Sequence, residues 1–291
     1  MGAIFIVGTT GTGKTKLATI LANKSPDSII ISADSRQVYR EMDIVTGKDH
    51  PKNLDIKGIN LVGPNQDFSV SEWYDYVKPL YDRAQDVGKQ VIVVGGTGFY
   101  VRSLTSGIET LSVPINPKLR TKLEKLSVGE LQEILKQKNL SKFNQLNHSD
   151  QLNPRRLVRA IEVSSTDLNT PTSSVPTYTQ PLIGLYYQDL EIQKKVIRER
   201  VLARIDSGAI KETEKLISKY GSVIQGMSAL GYLQILRHLL GEISEGELVE
   251  LWTLDELKYA KRQLTYFRKL NVVWYDRGRM SIEEIYDHIS R

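Results

Sequence analysis

The chain has 291 residues, 25% of them charged and 40% hydrophobic, the balance of a globular protein long enough for one large domain or two small ones. It has no cysteine, which excludes disulfides, thiol catalysis and cysteine-bound zinc, and its four histidines (His50, His148, His238, His288) lack metal-ligand spacing. A formal net charge of +5 leans toward an anionic partner.

The apolar run "AIFIV" predicts a first strand over 3–8. A strand opening at Ala3 leaves no room for a signal peptide, and no apolar run approaches the length of a membrane span. The expectation is a cytoplasmic protein that does not touch membranes. "GTTGTGKT" follows at once, over residues 8–15, and fits the phosphate-cradling pattern G-x-x-x-x-G-K-[ST]. Gly8, Gly11 and Gly13 permit positive φ, so the N–H groups of Thr9, Thr10, Thr12 and their neighbours can turn inward around phosphate oxygens. A helix over 14–23, apolar at Leu17, Ala18 and Leu21, aims its N-terminal dipole at the same anion. Lys14 adds a positive charge, and the Thr15 hydroxyl is a candidate ligand for Mg²⁺.

Further strands are predicted at 28–33, 91–95, 182–187 and 272–275, with another near 58–62. Helices alternate with them at 14–23, 71–86 and about 98–106, and long helices return at 190–219 and 255–270. This alternation predicts an α/β fold: a P-loop NTPase-like parallel sheet flanked by helices. From Pro114 to Pro181 the pattern changes to helical, lysine-rich segments ("NPKLRTKLEKL", "GELQEILKQ", "NPRRLVRAIEV"), closed by the turn-rich "TPTSSVPTYTQP". The expected domains are therefore a core of 1–113 and 182–291 and an all-α insertion of 114–181.

A P-loop ATPase or GTPase normally has an apolar strand ending in the aspartate that organises Mg²⁺ and its water. Here "VIVV" ends in "GGTG" (95–98), without an acid. "IIISADS" instead places Asp34 after the second strand, where it can face a second substrate or cap a helix. On the helix 255–270, Leu257, Ala260, Leu264 and Phe267 form an apolar stripe, and Lys258, Lys261, Arg262, Arg268 and Lys269 gather on the remaining surface. Arg155, Arg156 and Arg159 form a second basic face, and two such faces on a basic protein favour phosphate-backbone binding.

Seven segments in order, "GTTGTGKT", "ADSRQVYREMDIVTGK" (33–48), "GGTGFY" (95–100), "NPRRLVRAIEV" (153–163), "RVLARIDSGAIKE" (200–212), "ALGY" (229–232) and "YAKRQLTYFRK" (259–269), together resemble the tRNA dimethylallyltransferases, or tRNA isopentenyltransferases, over about residues 4–275. The resemblance implies that the P-loop holds a diphosphate leaving group instead of ATP. The family moves a dimethylallyl group from dimethylallyl diphosphate to N6 of the adenosine immediately 3′ of the tRNA anticodon. That would explain a phosphate cradle without a hydrolytic acid. By resemblance, Lys14, Mg²⁺ on Thr15, and Arg200 neutralise the departing diphosphate, Thr10 bonds the reacting oxygen, and Asp34 accepts the N6 proton. The expected tRNA contacts are Asp34, Ser35, Arg36, Gln37, Thr97, Arg120, Arg155, Arg156, Leu157, Val158, Arg159, Lys261 and Arg262. Glycine at 95, 96 and 98 would let the backbone approach RNA, or would serve tight strand–helix packing. The target base must leave its stack to reach such a site. The expected partners are the tRNA anticodon stem-loop and dimethylallyl diphosphate, and the expected state is a monomer.

The chain departs from the family pattern in three places. "GINLVGPNQDFSVSEW" (58–73) stands where a histidine-rich "HHLID"-type stretch is usual, "TGK" replaces "TAK", and Asn153 stands where aspartate is common. Three alternative functions remain open on sequence: an isopentenyltransferase of free adenine nucleotides, a small-molecule P-loop kinase, and a catalytically silent RNA-binding protein. Retention of Lys14, Thr15 and Asp34 together counts against the last.

Overall fold

The computed structural model describes residues 2–25, 27–48, 54–166, 178, 180–222 and 224–290. It divides into two units, one of Met1–Thr105 with Tyr178–Arg291 and one of Ser106–Thr177. These limits lie at 105/106 and 177/178, where the sequence suggested 113/114 and 181/182. Most of the "TPTSSVPTYTQP" stretch, His50 and part of the loop at 48–66 lie outside the described residues.

The larger unit is built on six parallel strands: β1 (Ile4–Gly8), β2 (Ile29–Ser32), β3 (Ile56–Lys57), β4 (Val91–Val94), β5 (Leu182–Tyr186) and β6 (Val272–Asp276), in the order β3-β2-β4-β1-β5-β6. The α/β expectation holds. β1, β2 and β4 read as near-continuous apolar runs because both faces of the sheet are covered. Alternate side chains serve opposite faces. Phe5, Val7, Ile31, Val91 and Val93 join one core, while Ile6, Ile30, Ile92 and Val94 join the other.

The helices of this unit are α1 (Lys14–Lys24), α2 (Val70–Asp86), α3 (Gly98–Thr105) and, beyond the insertion, α8 (Leu190–Asp206), α9 (Ala209–Tyr220), α10 (Tyr232–Leu239), α11 (Glu245–Phe267) and α12 (Ile282–Ile289). The strand expected near 58–62 is instead the short β3 just before it. Gly58 (φ 83) and Asn60 (φ 55) turn the chain out of extended geometry, leaving Val62 only an isolated bridge to Tyr39. The helix expected over 190–219 is two, because Gly208 takes φ 102 and starts α9 afresh. The helix expected from 255 begins ten residues earlier, where Ser244 and Glu247 form a capping box. Its buried stripe also differs: Trp252, Glu256, Ala260, Gln263 and Phe267 face inward, while Leu257 and Leu264 are only partly buried. Ser281 and Glu284 cap α12 in the same way, and its Ile282 and Ile285 enter the second core beside Leu17 and Ala18.

The smaller unit holds α4 (Pro117–Leu123), α5 (Val128–Gln145, kinked at Asn139), α6 (His148–Gln151) and α7 (Pro154–Ser164). Leu123, Leu131, Leu135, Leu157, Val158 and Ile161 form its core. Glu162 is the polar centre, 2% exposed. Arg120 donates to both its carboxylate oxygens at 2.8 Å, Arg159 to one at 3.1 Å, and the Asn116 N–H to the other at 3.0 Å. Arg159 also donates to the Thr110 and Val113 carbonyls at 2.7 and 2.8 Å, closing the loop before α4 onto α7.

Burial alone would raise the Glu162 carboxyl, but the bonds from Arg120, Asn116 and Arg159 outweigh it and hold the group below the ordinary carboxylate range. A depressed carboxylate stabilises the fold at neutral pH, and that contribution is lost as pH falls through the lowered value. Glu162→Gln should therefore destabilise the smaller unit by about 3 kcal/mol, the cost of leaving buried cations without their partner. Hydrogen exchange should quicken across α4–α7 and stay unchanged in the sheet. Equal protection in α7 of the variant and the wild type would show that the network contributes nothing.

Candidate active site

The candidate centre lies at the carboxyl ends of β1, β2 and β4, where the strand order reverses and parallel α/β sheets open a crevice. A cavity of about 510 Å³ is lined there by Thr10, Gly11, Thr12, Gly13, Lys14, Thr15, Asp34, Gln37, Gly47, Arg200, Arg204, Tyr259 and Gln263.

The P-loop forms as its glycines predict. Gly8, Gly11 and Gly13 take φ of 126°, 81° and 83°. A side chain at Gly8 would collide with the Leu185 carbonyl, so only glycine fits where the loop leaves β1. Gly13 caps α1 without a side-chain acceptor, so the first N–H groups of that helix have no side-chain cap on the cavity side. The four threonines divide their labour. Thr9 and Thr12 are buried and structural: the Thr9 N–H donates to the Leu185 carbonyl at 3.1 Å, its hydroxyl accepts from Gln193 at 3.0 Å, and Thr12 donates to the Thr9 carbonyl at 2.8 Å. Thr10 and Thr15 face the cavity.

Lys14 Nζ donates to the Thr9 carbonyl at 2.7 Å. Burial first, and the Arg200 charge second, lower its pKa to about 8, with Asp34 and Glu256 opposing. Arg200, on α8, donates from Nη1 to the Thr10 hydroxyl at 3.2 Å, so the two distant motifs meet at one loop residue.

Asp34 caps a turn, not a helix, and it also lines the cavity. Its Oδ1 accepts the Arg36 N–H at 2.8 Å, capping the turn after β2, and the residue lines the cavity. Ser35 donates its N–H to the Thr97 hydroxyl at 3.0 Å, which ties the ends of β2 and β4 together. Arg36 donates to Ser228 at 2.9 Å and, with Asp34, Tyr259 and Arg262, lines an adjoining cavity of about 210 Å³. Gln37 is buried between Ser32 and the Gly47 carbonyl, so it braces the wall.

Lys261 and Arg262 are exposed on α11, and Arg262 stacks over the Tyr259 ring at 5.7 Å. In the smaller unit Arg155 and Arg156 are exposed, Arg156 paired with Asp150, whereas Leu157 and Val158 are core residues and Arg120 and Arg159 converge on Glu162. The glycines at 95, 96 and 98 are tightly packed, a reading compatible with approach to RNA. Side chains there would strike the Ala33 backbone, the Gln263 amide and the Tyr266 ring.

Four residues escaped sequence reasoning. The Gln263 carboxamide accepts the Thr10 N–H at 2.9 Å and donates to the Gly96 carbonyl at 3.1 Å. The Glu212 carboxylate accepts the N–H groups of Asp43, Ile44 and Val45 at 2.8, 2.7 and 3.1 Å, anchoring the segment that leads to Gly47. Tyr259 lines both cavities, and burial, then the Asp34 charge, push its phenol upward, so it keeps its proton and bonds Thr97. Arg204 lines both cavities as well.

Fold and centre together define a P-loop protein of the α/β class, with an anion cradle at one side of its cavity and a carboxylate at another. The IPP transferase family model matches residues 37–270, and the isopentenyl transferase model matches residues 1–62. A tRNA dimethylallyltransferase of Acetivibrio thermocellus is 36% identical, covering 97% of this chain and 93% of its own. The crystal structure of a tRNA isopentenylpyrophosphate transferase of Staphylococcus epidermidis is 30% identical with a TM-score of 0.71, covering 99% of this chain and 97% of its own. A eukaryotic dimethylallyltransferase solved while acting on tRNA shares the fold, at 21% identity and a TM-score of 0.78, covering 95% of this chain and 74% of its own. The chain belongs to the IPP transferase family and is a prenyltransferase.

The lowered Lys14 pKa carries a pH dependence with a definite sign. A bound anion favours the charged lysine, so affinity for inorganic diphosphate should be full below pH 8 and fall as pH rises through about 8. Titration calorimetry on the wild type and on Lys14→Arg, whose charge persists, should show the fall in the first alone. A wild-type affinity that is flat across this range contradicts the assignment.

Proposed function

We propose that the enzyme transfers a dimethylallyl group from dimethylallyl diphosphate to N6 of the adenosine immediately 3′ of a tRNA anticodon. The observation that carries this reading is the sharing of one cavity by the P-loop and Asp34. In the reaction the N6 lone pair forms a bond to C1 of the donor as the C1–O bond breaks, diphosphate departs with the bonding electrons, and the N6 proton passes to Asp34. The exocyclic amine of adenine is a weak nucleophile, and a positioned carboxylate strengthens it as the proton leaves. The Lys14 ammonium, the Arg200 guanidinium and the N–H groups of the P-loop receive the charge that develops on the leaving group. Arg200 and Thr10 act as one element, since the hydroxyl already accepts from the guanidinium.

The donor set near the P-loop suits a magnesium ion carried in by the diphosphate. The Thr15 hydroxyl lines the cavity, and no group of three or more His, Cys, Asp or Glu that could hold a metal exists among the described residues. Magnesium typically keeps waters and substrate phosphate oxygens with few protein ligands, and when bound it neutralises phosphate charge.

For tRNA, Arg36 and Arg262 line the adjoining cavity beside Asp34, and Tyr259 supplies a phenol there. Lys261, Arg262, Arg155 and Arg156 are exposed cations suited to phosphate contacts, whereas Arg120 and Arg159 serve mainly to brace the smaller unit, which contacts the anticodon arm. No described helix is long and apolar enough to cross a membrane. The reading takes the enzyme to act as a monomer in the cytoplasm.

The experiment is single-turnover transfer to an anticodon stem-loop and to AMP. Asp34→Asn should keep tRNA affinity within a few-fold and slow transfer by roughly 10²–10⁴, the usual worth of a positioned base. The stem-loop should be a good acceptor and AMP a poor one. Wild-type rates in Asp34→Asn would leave that residue only its turn-capping role, and efficient prenylation of AMP would favour the nucleotide enzyme.

A further inference from the structure

Arg204 lies one helical turn beyond Arg200 on α8, so both side chains emerge on the same face. Its guanidinium is almost wholly buried, donates from Nη1 to Glu256 at 2.9 Å and lies over the Trp252 ring at 5.8 Å. Its Nε is buried and has no hydrogen-bond partner among the described residues. The second terminal nitrogen is directed at Gly47. A Cβ on Gly47 would collide with Arg204 Nη2, and it would lie 3.4 Å from Nη2 of Arg200. The two guanidinium groups therefore converge on one backbone position. This explains the "TGK" departure: the alanine usual at that position would displace Arg204.

The donors of Arg204 point the same way. Arg204 lines the cavity beside Lys14 and Arg200, and Glu256 is its carboxylate partner. Its buried Nε has no hydrogen-bond partner among the described residues, a donor that a bound anion would satisfy. A guanidinium keeps its charge at any accessible pH and offers planar donors that match phosphate oxygens. Its Glu256 bond uses one of five N–H donors.

We propose that Arg204 is a second guanidinium for the diphosphate leaving group, admitted by Gly47 and held ready by Glu256 until the donor binds. The inference rests on the P-loop's being a diphosphate site. Glu256 then competes with the ligand for Arg204, so removing its charge should strengthen anion binding, the opposite of what a purely structural ion pair would do.

Titration calorimetry with inorganic diphosphate and Mg²⁺ on the full chain tests this, beside tRNA affinity and thermal melting of each variant. Arg204→Met should bind diphosphate about tenfold more weakly, the scale of one charge-assisted hydrogen bond, with a smaller loss of tRNA affinity. Gly47→Ala, which pushes the guanidinium aside, should follow it, and Glu256→Gln should bind diphosphate at least as tightly as wild type. Wild-type affinity in Arg204→Met with a lowered melting temperature would reduce the pair to a structural role and overturn the proposal. If Arg204→Met does not fold, Gly47→Ala and Glu256→Gln decide by the same signs, and weaker binding in Glu256→Gln overturns it. Failure of the wild type to bind diphosphate while Lys14→Ala behaves identically would instead remove the P-loop reading, and this inference with it.

Discussion

The site depends on one carboxamide. Gln263 accepts the Thr10 N–H and donates to the Gly96 carbonyl, so a single side chain on α11 fixes the P-loop after β1 to the turn after β4. Both bonds are buried or nearly so, where an unmet amide or carbonyl is expensive, and Gly96 has no room for a side chain. Ser35 and Thr97 extend the tie from β4 to β2, which carries Asp34. The anion cradle and the carboxylate are thereby held in one frame. Bond formation between two bound substrates needs that, because small errors in placing reacting atoms cost much of the rate.

Electrostatics follow from this frame. Cations collected in a mostly buried cavity lose water and repel one another, and the lowered Lys14 pKa, from burial first and the Arg200 charge second, reports that tension. In the proposed reaction a bound diphosphate would relieve it, and the relief would grow as negative charge builds on the departing oxygen. The absence of an acid at the end of β4 suits the same chemistry, since no hydrolytic water has to be organised there. In the proposed reaction Lys14, Arg200 and Asp34 thus form a set in which each cation or carboxylate has a task in transfer.

What could be read from the chain beforehand was whatever is encoded locally. The P-loop, the apolar strands and Asp34 at the end of β2 are short patterns whose meaning lies within a few residues. Gln263 was invisible because its partners lie 253 and 167 residues away. Arg204 and Glu256 are likewise 52 residues apart, and only the fold pairs them. Arg159 looked like part of a basic face, yet its donors are occupied by Glu162 and two carbonyls. Some misses were legible after all. The capping boxes at Ser244 and Ser281 mark the starts of α11 and α12 in sequence, and the glycine at 208 marks the break between α8 and α9.

The central claim is that this P-loop serves a leaving group and does not hydrolyse a nucleotide. Its most direct test is a stoichiometric one. The enzyme is incubated with dimethylallyl diphosphate, Mg²⁺ and bulk tRNA, and released diphosphate is counted against prenylated adenosine by mass spectrometry, with ATP in a parallel reaction. One diphosphate per prenylated adenosine, none without tRNA, and no ATP consumption is the result the account predicts. ATP turnover without prenyl transfer would contradict it and identify a kinase or ATPase on the same scaffold.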